Sequence, residues 1–313
     1  MSKTILKPDY ILLAGVPRSG SSWTARVLAQ SPGTILVREP DNEKNYRPAQ
    51  RAKHNLHRFP YIPRDHDNRD FHLFWQKVFE KDLSPSNPLF AKLYRIGSDL
   101  LSKTTGKHYA FKCRDFHPSG NMNEKTRIIK SVHAGLSLPY LNENFRPKIV
   151  IIFRHPASIV ASCLRLKLPD GNREVFRQTA LVTDFLEPYM STIETLSDPL
   201  ALMGLQVAIF YHVWERQMDQ YPQWITTTHE DLCEESASKF RRLYDQLGLP
   251  WRDEIAAYID RHNTGGGGYE IRRVASQVVD QWKTELSAQQ IRSVRQGYGI
   301  LPVRHYHEFQ TGN

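Results

Sequence analysis

The sequence predicts an α/β protein in which a central parallel sheet lies between two layers of helices. Short, continuously apolar runs alternate along its 313 residues with longer stretches of helical periodicity. Two of the runs are each followed by a turn and then a helix, the order expected for buried parallel strands with crossover helices. The 40% apolar content is enough for one large core. We therefore expect a single domain over residues 1–313.

The first strand is predicted at residues 10–16, where the chain is apolar without interruption before a loop containing glycine and proline. Apolar residues then recur at helical spacing over 21–30, and the stretch ends at a Ser-Pro-Gly turn. A second strand is predicted at 34–37. The polar stretch that follows, up to about residue 69, is interpreted as a surface excursion.

The remaining elements are predicted from the same patterns. Further strands are predicted at 108–113, 127–130, 147–153 and 224–227. Helices are predicted within 71–101, after residue 155, within 169–220, at 238–247 and 253–262, and around 282–294. Four consecutive glycines at 265–268 are too flexible for a regular element, and the chain ends in a polar tail.

Composition excludes several classes of protein. The mean hydropathy is -0.53 and the apolar runs are too short to cross a bilayer, so we expect no stable membrane insertion. Residues 1–9 lack the layout of a secretory signal, which favours a cytoplasmic protein. The three cysteines, Cys113, Cys163 and Cys233, are far apart and predict plain buried thiols. A formal charge of +9 favours anionic partners such as phosphates or nucleic acid.

A phosphate-binding loop is predicted directly after the first strand, where the chain runs Gly-Val-Pro-Arg-Ser-Gly-Ser-Ser-Trp. This is similar to the G-x-x-x-x-G-K-S/T loop, whose backbone N–H groups bind phosphate. Ser21 occupies the place of the lysine, and the cation, Arg18, lies inside the loop. The strand at 147–153 ends in Arg154 and His155 rather than in a magnesium-binding aspartate. Both differences predict a nucleotide bound without Mg²⁺. The alternative is an ordinary helix cap by a serine.

A second anion site is predicted after the strand at 147–153. Arg154 begins a turn, and the helix beyond it carries Ser162 eight residues later. An arginine and a hydroxyl there could bind a second anionic group beyond another parallel strand. The alternative interpretation is a solvent-exposed arginine and a packing serine.

Together these segments resemble the PAPS-dependent sulfotransferase family, in its soluble, bacterial type. The family's donor is 3'-phosphoadenosine-5'-phosphosulfate (PAPS) and its product is 3',5'-ADP (PAP). The resemblance rests on the P-R-S-G-S-S-W loop at 17–23 and the R-x-P-x-x-x-x-x-S segment at 154–162. Lys130, the His-Glu-Asp-Leu run at 229–232 and the Trp282-Lys283 pair support it, so that it extends over residues 10–286. It implies a P-loop-like three-layer sandwich and sulfuryl transfer.

The resemblance also implies which residues bind the donor. The loop that would hold the 5'-phosphosulfate, with its tryptophan against the adenine, consists of Pro17, Arg18, Ser19, Gly20, Ser21, Ser22 and Trp23. Arg154 and Ser162 would hold the 3'-phosphate. A flexible loop at 263–276 would cover that phosphate with Arg272, Arg273 and Ser276. No metal is implied.

Catalysis requires charge stabilisation and a base. Charge develops on the sulfuryl oxygens and the leaving phosphate, so Arg18 and Lys130 are the expected stabilising cations. The acceptor hydroxyl or amine must lose a proton to a nearby base. Glu39 follows the second strand, where one branch of the family places a carboxylate base. His133 lies one position later than the histidine of the cytosolic branch, and we favour Glu39, although both remain open.

The acceptor is expected to be a small molecule, namely a metabolite, natural product or glycolipid. The segment 41–70 is expected to form a lid over its pocket and to exclude water. This segment contains His54, His57 and His66, but without the spacing of metal ligands. The two alternative functions are a basic nucleic-acid-binding protein and a P-loop kinase-like phosphotransferase. We favour the sulfotransferase with no nucleic-acid partner, and the sequence predicts no oligomeric state.

Overall fold

Five parallel strands form one sheet in the computed structural model, which describes residues 9–44, 46–80, 126–168, 173–262 and 279–311. The strand order is β2-β3-β1-β4-β5. The strands are β1 (Tyr10–Gly15), β2 (Thr34–Arg38), β3 (Thr126–Ser131), β4 (Lys148–Phe153) and β5 (Ile225–Thr228). The predicted parallel α/β architecture is confirmed. The strand predicted at 108–113 lies outside the described residues.

Helices connect the strands and cover the sheet. They are α1 (Ser21–Leu28), α2 (Arg47–Ala52), α3 (Arg69–Glu80), α4 (Leu138–Phe145), α5 (Pro156–Arg165), α6 (Met190–Thr195), α7 (Pro199–Met218), α8 (His229–Glu234), α9 (Ser236–Leu247), α10 (Asp253–His262), α11 (Trp282–Glu285), α12 (Ala288–Tyr298) and α13 (His307–Thr311). Short 3-10, α and π turns fill 175–189. None of the helices in the described ranges is long and apolar enough to cross a membrane.

The two faces of the sheet belong to two separate hydrophobic cores, because successive side chains of a strand point to opposite sides. Leu12 of β1 and Ile151 of β4 lie in the larger core, with α4, α7 and α12. Leu13 and Val150 lie in the smaller core, with α1, α9 and α10. This arrangement is the three-layer sandwich that the sequence predicted.

The parallel register brings the carboxyl ends of all five strands to one edge of the sheet. Ala14 of β1 is paired with Ser131 of β3 and with Ile151 of β4, and Arg38 of β2 is paired with Lys130. The segments that leave this edge are therefore neighbours in space. They include the predicted phosphate loop, Glu39 and Arg154.

Two segments interpreted from sequence as polar surface contribute to the core. The excursion after β2 buries Phe59 and Ile62, which are 3% and 2% exposed. The C-terminal tail buries Val303 and Phe309 in the same way and forms α13. The surface interpretation was wrong at these positions because isolated apolar residues in polar sequence carry no periodicity, although each one reaches the core.

Candidate active site

The loop after β1 presents backbone N–H groups at the start of α1. Gly20 is the N-cap, with φ of 89°, and no side chain caps the helix. The N–H groups of Trp23 and Thr24 both donate to Gly20 O, whereas those of Gly20, Ser21 and Ser22 have no acceptor among the described residues. Unpaired amides at a helix N-terminus bind anions. The serine-cap alternative is wrong, because the serines lie inside the first helical turn.

Gly20 is required at its position by its neighbours. Its backbone is left-handed, and a Cβ there would lie 2.3 Å from Nδ1 of His229, at the start of α8. The edge of His229 also contacts the half-buried Trp23, with ring centroids 6.0 Å apart. Ser19 is fully buried, and its hydroxyl packs against Gly15. His229, at the start of α8, therefore leaves room only for a glycine at position 20 of the loop.

The two predicted anion sites meet in the structure. Arg18 Nε donates to Ser162 Oγ at 3.0 Å, and Arg154 NH1 donates to the carbonyl oxygen of Arg18 at 2.7 Å. The three residues come from the exits of β1 and β4, which are adjacent strands. The sequence placed Arg18 and Ser162 at opposite ends of the donor, but here they are in direct contact.

Arg154 is a buried cation, only 4% exposed. In the described part of the chain no carboxylate lies within salt-bridge distance of its guanidinium, and Nε has no hydrogen-bond partner. Burial lowers the pKa of Arg154, and the more distant Glu230 opposes that shift. The interpretation of Arg154 as a solvent-exposed arginine is therefore wrong. A buried, unpaired guanidinium is a strong site for an anion.

Three residues that sequence reasoning did not assign hold this turn. Tyr211 of α7 accepts from Arg154 N at 2.8 Å and donates to Arg154 O at 2.6 Å. Glu230 accepts from His155 N at 3.0 Å and from the hydroxyl of Tyr306 at 2.6 Å. Tyr211 and Tyr306 gave no signal in the sequence, because their partners lie 57 and 76 positions away.

Trp282, quoted above only as support for the resemblance, lies over the exit of β4. Its ring stacks on His155 with centroids 4.5 Å apart and planes 12° apart. Burial, with a further contribution from Lys283, lowers the pKa of His155 to about 4. His155 is therefore neutral at physiological pH, and it positions α11 beside Arg154.

Glu39 and Lys130 form an ion pair at the exits of β2 and β3. Val132 N donates to Glu39 Oε2 at 3.0 Å, and Lys130 is only 4% exposed. Burial by itself would raise the pKa of Glu39, but Lys130 and His133 together hold that pKa below its ordinary value. Glu39 is consequently a carboxylate at neutral pH, the form that can accept a proton.

His133 lies three residues beyond Lys130 and is 1% exposed. Its Nδ1 lies 3.2 Å from the carbonyl oxygen of Arg58, 3.4 Å from Glu43 Oε2 and 3.5 Å from Lys53 Nζ. The ring is thus surrounded by the segment after β2. Both candidate bases lie in this corner of the molecule, since His133 contributes to the low pKa of Glu39.

Further buried charges that the sequence did not reveal support this corner. Asp41 accepts from Ser131 Oγ at 2.8 Å, and burial raises the pKa of Asp41. Lys53 donates to Glu43 at 2.8 Å and to the carbonyl oxygen of Arg58 at 2.6 Å. The segment after β2 is thereby fixed to β3 by polar contacts.

A cavity of about 630 Å³ opens beside the phosphate loop. Val16 and Pro17 form one side of it, and Cys163, next to Ser162, lies on another. His57, Arg58 and other residues of the segment 41–70 complete the lining. The volume is in the usual range for a small-molecule site.

One group of predicted site residues is not described by the structure. Arg272, Arg273 and Ser276, with the loop at 263–276, lie outside the described residues. His54, His57 and His66 are described, and no cluster of three potential metal ligands occurs in the described part of the chain.

A family model described as "Sulfotransferase family" matches residues 8–253 of this chain. No curated protein sequence matches the chain.

Several solved structures are similar to this chain at low identity. The sulfotransferase domain from the curacin biosynthetic pathway is 15% identical, with a TM-score of 0.47 over 92% of this chain and 97% of that one. Mouse sulfotransferase SULT7A1 complexed with PAP is 16% identical, with a TM-score of 0.44 over 97% and 87%. Retinol dehydratase in a complex with retinol and PAP is 17% identical, with a TM-score of 0.41 over 96% and 84%.

Proposed function

The chain belongs to the sulfotransferase family, and from this premise we propose that it transfers the sulfuryl group of PAPS to a hydroxyl or amine of a small-molecule acceptor. The observation that carries the proposal is the junction of the two anion sites through Arg18, Ser162 and Arg154. It places unpaired helix amides and a buried, unpaired cation side by side.

These residues suit a donor with two anionic ends. The amides of Gly20, Ser21 and Ser22 would hold the 5'-phosphosulfate, and Arg154 with Ser162 would hold the 3'-phosphate. Because Arg18 contacts Ser162, its side chain would reach both proposed sites. PAPS would supply the sulfuryl group, and the two sites would orient it toward the cavity.

Lys130 and Glu39 supply the remaining chemistry in this proposal. The Lys130 ammonium and the Arg18 guanidinium stabilise negative charge at the reacting centre, a contribution of roughly 2 to 4 kcal/mol for each such donor. Glu39, already ionised, accepts the proton of the attacking hydroxyl or amine. In-line displacement of this kind requires no metal ion from the protein.

The cavity beside the loop is the proposed acceptor site, and the segment 41–70 is the proposed lid. Residues of this segment line the cavity and also contact His133. The same polar contacts that fix the segment to β3 would hold it over the cavity. In this position the segment would exclude water that could otherwise hydrolyse the donor.

The test begins with donor binding. Purified protein with micromolar PAP and EDTA should show a raised melting temperature, because a ligand that binds only the folded state stabilises it. Arg154→Ala should lose most of this shift, while Arg241→Ala, which removes an exposed arginine of α9, should retain it. Acceptor mixtures with PAPS are then screened by mass spectrometry for the gain of one SO₃ group. A wild-type protein that PAP does not stabilise would contradict the proposal.

A further inference from the structure

The charged side chains that line the proposed acceptor cavity differ in how many bonds they already make within the protein. The ionised residues of its lining are Lys44, Lys53, Arg58, Arg173, Glu43 and Glu174. Cations exceed carboxylates, in a cavity whose expected acceptor has no defined charge. The question is which of these groups is available to a ligand.

Both carboxylates are already engaged with the protein. Glu43 Oε2 accepts from Lys53 Nζ at 2.8 Å and lies 3.4 Å from Nδ1 of His133. Glu174 Oε1 accepts from Arg58 N at 2.9 Å and lies 3.1 Å from Nδ1 of His57. These bonds fix the segment after α2, and they leave only a long ion pair from Glu43 Oε1 to Arg58 Nε, at 3.8 Å.

Arg58 has a fixed backbone and a guanidinium held by one long ion pair. Its N–H donates to Glu174, and its carbonyl oxygen accepts from Lys53 Nζ at 2.6 Å. Nε is buried and has no hydrogen-bond partner in the described ranges, and it forms an ion pair with Glu43 Oε1 at 3.8 Å. The guanidinium lies over the Phe59 ring, 5.3 Å from its centroid. Stacking of this kind leaves the N–H edge of an arginine available to an anion.

Arg173 lies on the same cavity and is half-buried. One of its terminal nitrogens donates to the carbonyl oxygen of Leu196 at 2.6 Å. Over the described residues no carboxylate lies within salt-bridge distance of this guanidinium. The side chain is therefore tethered at one nitrogen, and it forms no ion pair with a described carboxylate.

The rest of the lining is largely apolar. Leu56, Phe59, Ile159, Met203 and Val207 all contribute to it. An apolar cavity with a few uncommitted donors selects a ligand with an apolar body and a matching polar group. Guanidinium groups match carboxylate, sulfate and phosphate in both charge and geometry.

We propose that the acceptor of this enzyme carries an oxyanion in addition to its reacting hydroxyl or amine, and that Arg58 and Arg173 bind that oxyanion. The acceptor class is thus an apolar, hydroxylated or aminated carboxylate, sulfate or phosphate. This inference rests on the proposed function, because it names the class of that reaction's acceptor. Neither arginine is placed at the reacting atoms, and both determine specificity.

The experiment compares matched acceptors that differ in charge. The probes are ω-hydroxydodecanoate and para-hydroxyphenylpropanoate, the methyl ester of each, and ω-hydroxydodecyl phosphate. With PAPS, the oxyanions should exceed the esters in kcat/KM on the order of 10- to 100-fold, as expected for charge-assisted hydrogen bonds. Carboxylate and phosphate arms distinguish which oxyanion is preferred.

Variants test whether the two arginines cause the preference for oxyanions over esters. Arg58→Gln and Arg173→Gln should each reduce the ratio of oxyanion to ester toward one, mainly through KM, and should retain the stabilisation by PAP. Arg51→Gln and Arg177→Gln remove exposed arginines from the same two segments and should leave the ratio unchanged.

Binding of the same probes is also measured by calorimetry, with and without PAP, so that the result does not depend on turnover. Oxyanions should bind at least several-fold more tightly than their esters. Equal binding of the pair, no binding of any oxyanion, or a preference retained in both arginine variants would overturn the inference. Absence of stabilisation by PAP in the wild type would instead contradict the proposed function, and the binding measurement would still decide the acceptor question.

Discussion

The exits of β1 and β4 differ from the exits of β2 and β3 in how their charges are satisfied. At the first pair, helix amides are unpaired and the buried Arg154 has no carboxylate within salt-bridge distance in the described chain. At the second pair, Glu39 is paired with Lys130, and Asp41 accepts from Ser131. The charges of the second side are therefore balanced within the protein, whereas the buried cation of the first side is not. In the proposed function, an anionic donor binds at the first side and the ion pair of the second side supplies the catalytic groups.

The largest expected effect is a loss of turnover when Glu39, the proposed base, is replaced. Glu39→Gln should reduce kcat by roughly 10²- to 10⁴-fold, the usual contribution of a general base, while stabilisation by PAP is retained. His133→Asn is the matched comparison, and its rate should fall far less. Steady-state rates with any acceptor found in the screen provide the measurement, and a larger loss for His133→Asn would reverse the assignment.

The pH profile sharpens the same comparison. Because the pKa of Glu39 lies below its ordinary value of 4.5, the carboxylate stays ionised as the pH falls to that value. The acidic decline in kcat should therefore lie below about pH 4.5, and a decline at higher pH would argue against Glu39 as the base. The stabilisation that Glu39 gains from its ion pair depends on pH in the same direction. It is present above the pKa of this carboxyl in the unfolded chain and is lost as the pH falls through its pKa in the folded protein.

Replacing Lys130 should affect both turnover and stability. Lys130→Met should reduce kcat by about 10²- to 10³-fold because one charge-stabilising donor is lost. It should also lower the free energy of unfolding by roughly 3 kcal/mol, since Glu39 is left without its buried partner. Adding Glu39→Leu should restore stability but not activity. If Lys130→Met alone were as stable as the wild type in urea unfolding, the ion pair of Glu39 with Lys130 would make no contribution to stability.

Replacing Arg154 should have the smallest effect on the stability of the ligand-free protein. The sign of this effect should be opposite to that of Lys130→Met. Arg154→Met removes a buried, unpaired cation, so the melting temperature without ligand should be unchanged or higher. The affinity for PAP should fall by about 10- to 100-fold, because hydrogen bonds to a charged group are lost. Calorimetric titration and thermal unfolding measure the two effects. If Arg154→Met destabilised the ligand-free protein as much as Lys130→Met does, the contrast between the two sides would disappear.

Local patterns were sufficient for much of the fold and of the donor site. Strand β4 is a continuous apolar run, and the turn at Arg154 follows it directly, so both were predictable from neighbouring residues. The boundaries of α10 were predicted as observed. The motif 17–23 likewise lies within a single strand-loop-helix unit, where spacing along the chain determines spacing in the structure.

Contacts between distant segments were not predictable in the same way. Tyr211, Glu43 and Lys53 belong to no motif, and their functional contacts depend on which elements pack together. The burial of Phe59 in a polar segment also required the packed core to be seen. A single sequence does not encode the tertiary neighbour of a residue in its local pattern.

The sequence by itself determined the parallel α/β sheet, the loop after β1 and the residue types that meet at the edge of the sheet. Only the tertiary structure decided that Arg18 contacts Ser162, that Glu39 is paired with Lys130, and that Arg58 and Arg173 face one cavity. The physical reason is that periodicity reports which face of an element is buried. The pairing of charges depends instead on distances between elements, and the packing of the two cores sets those distances.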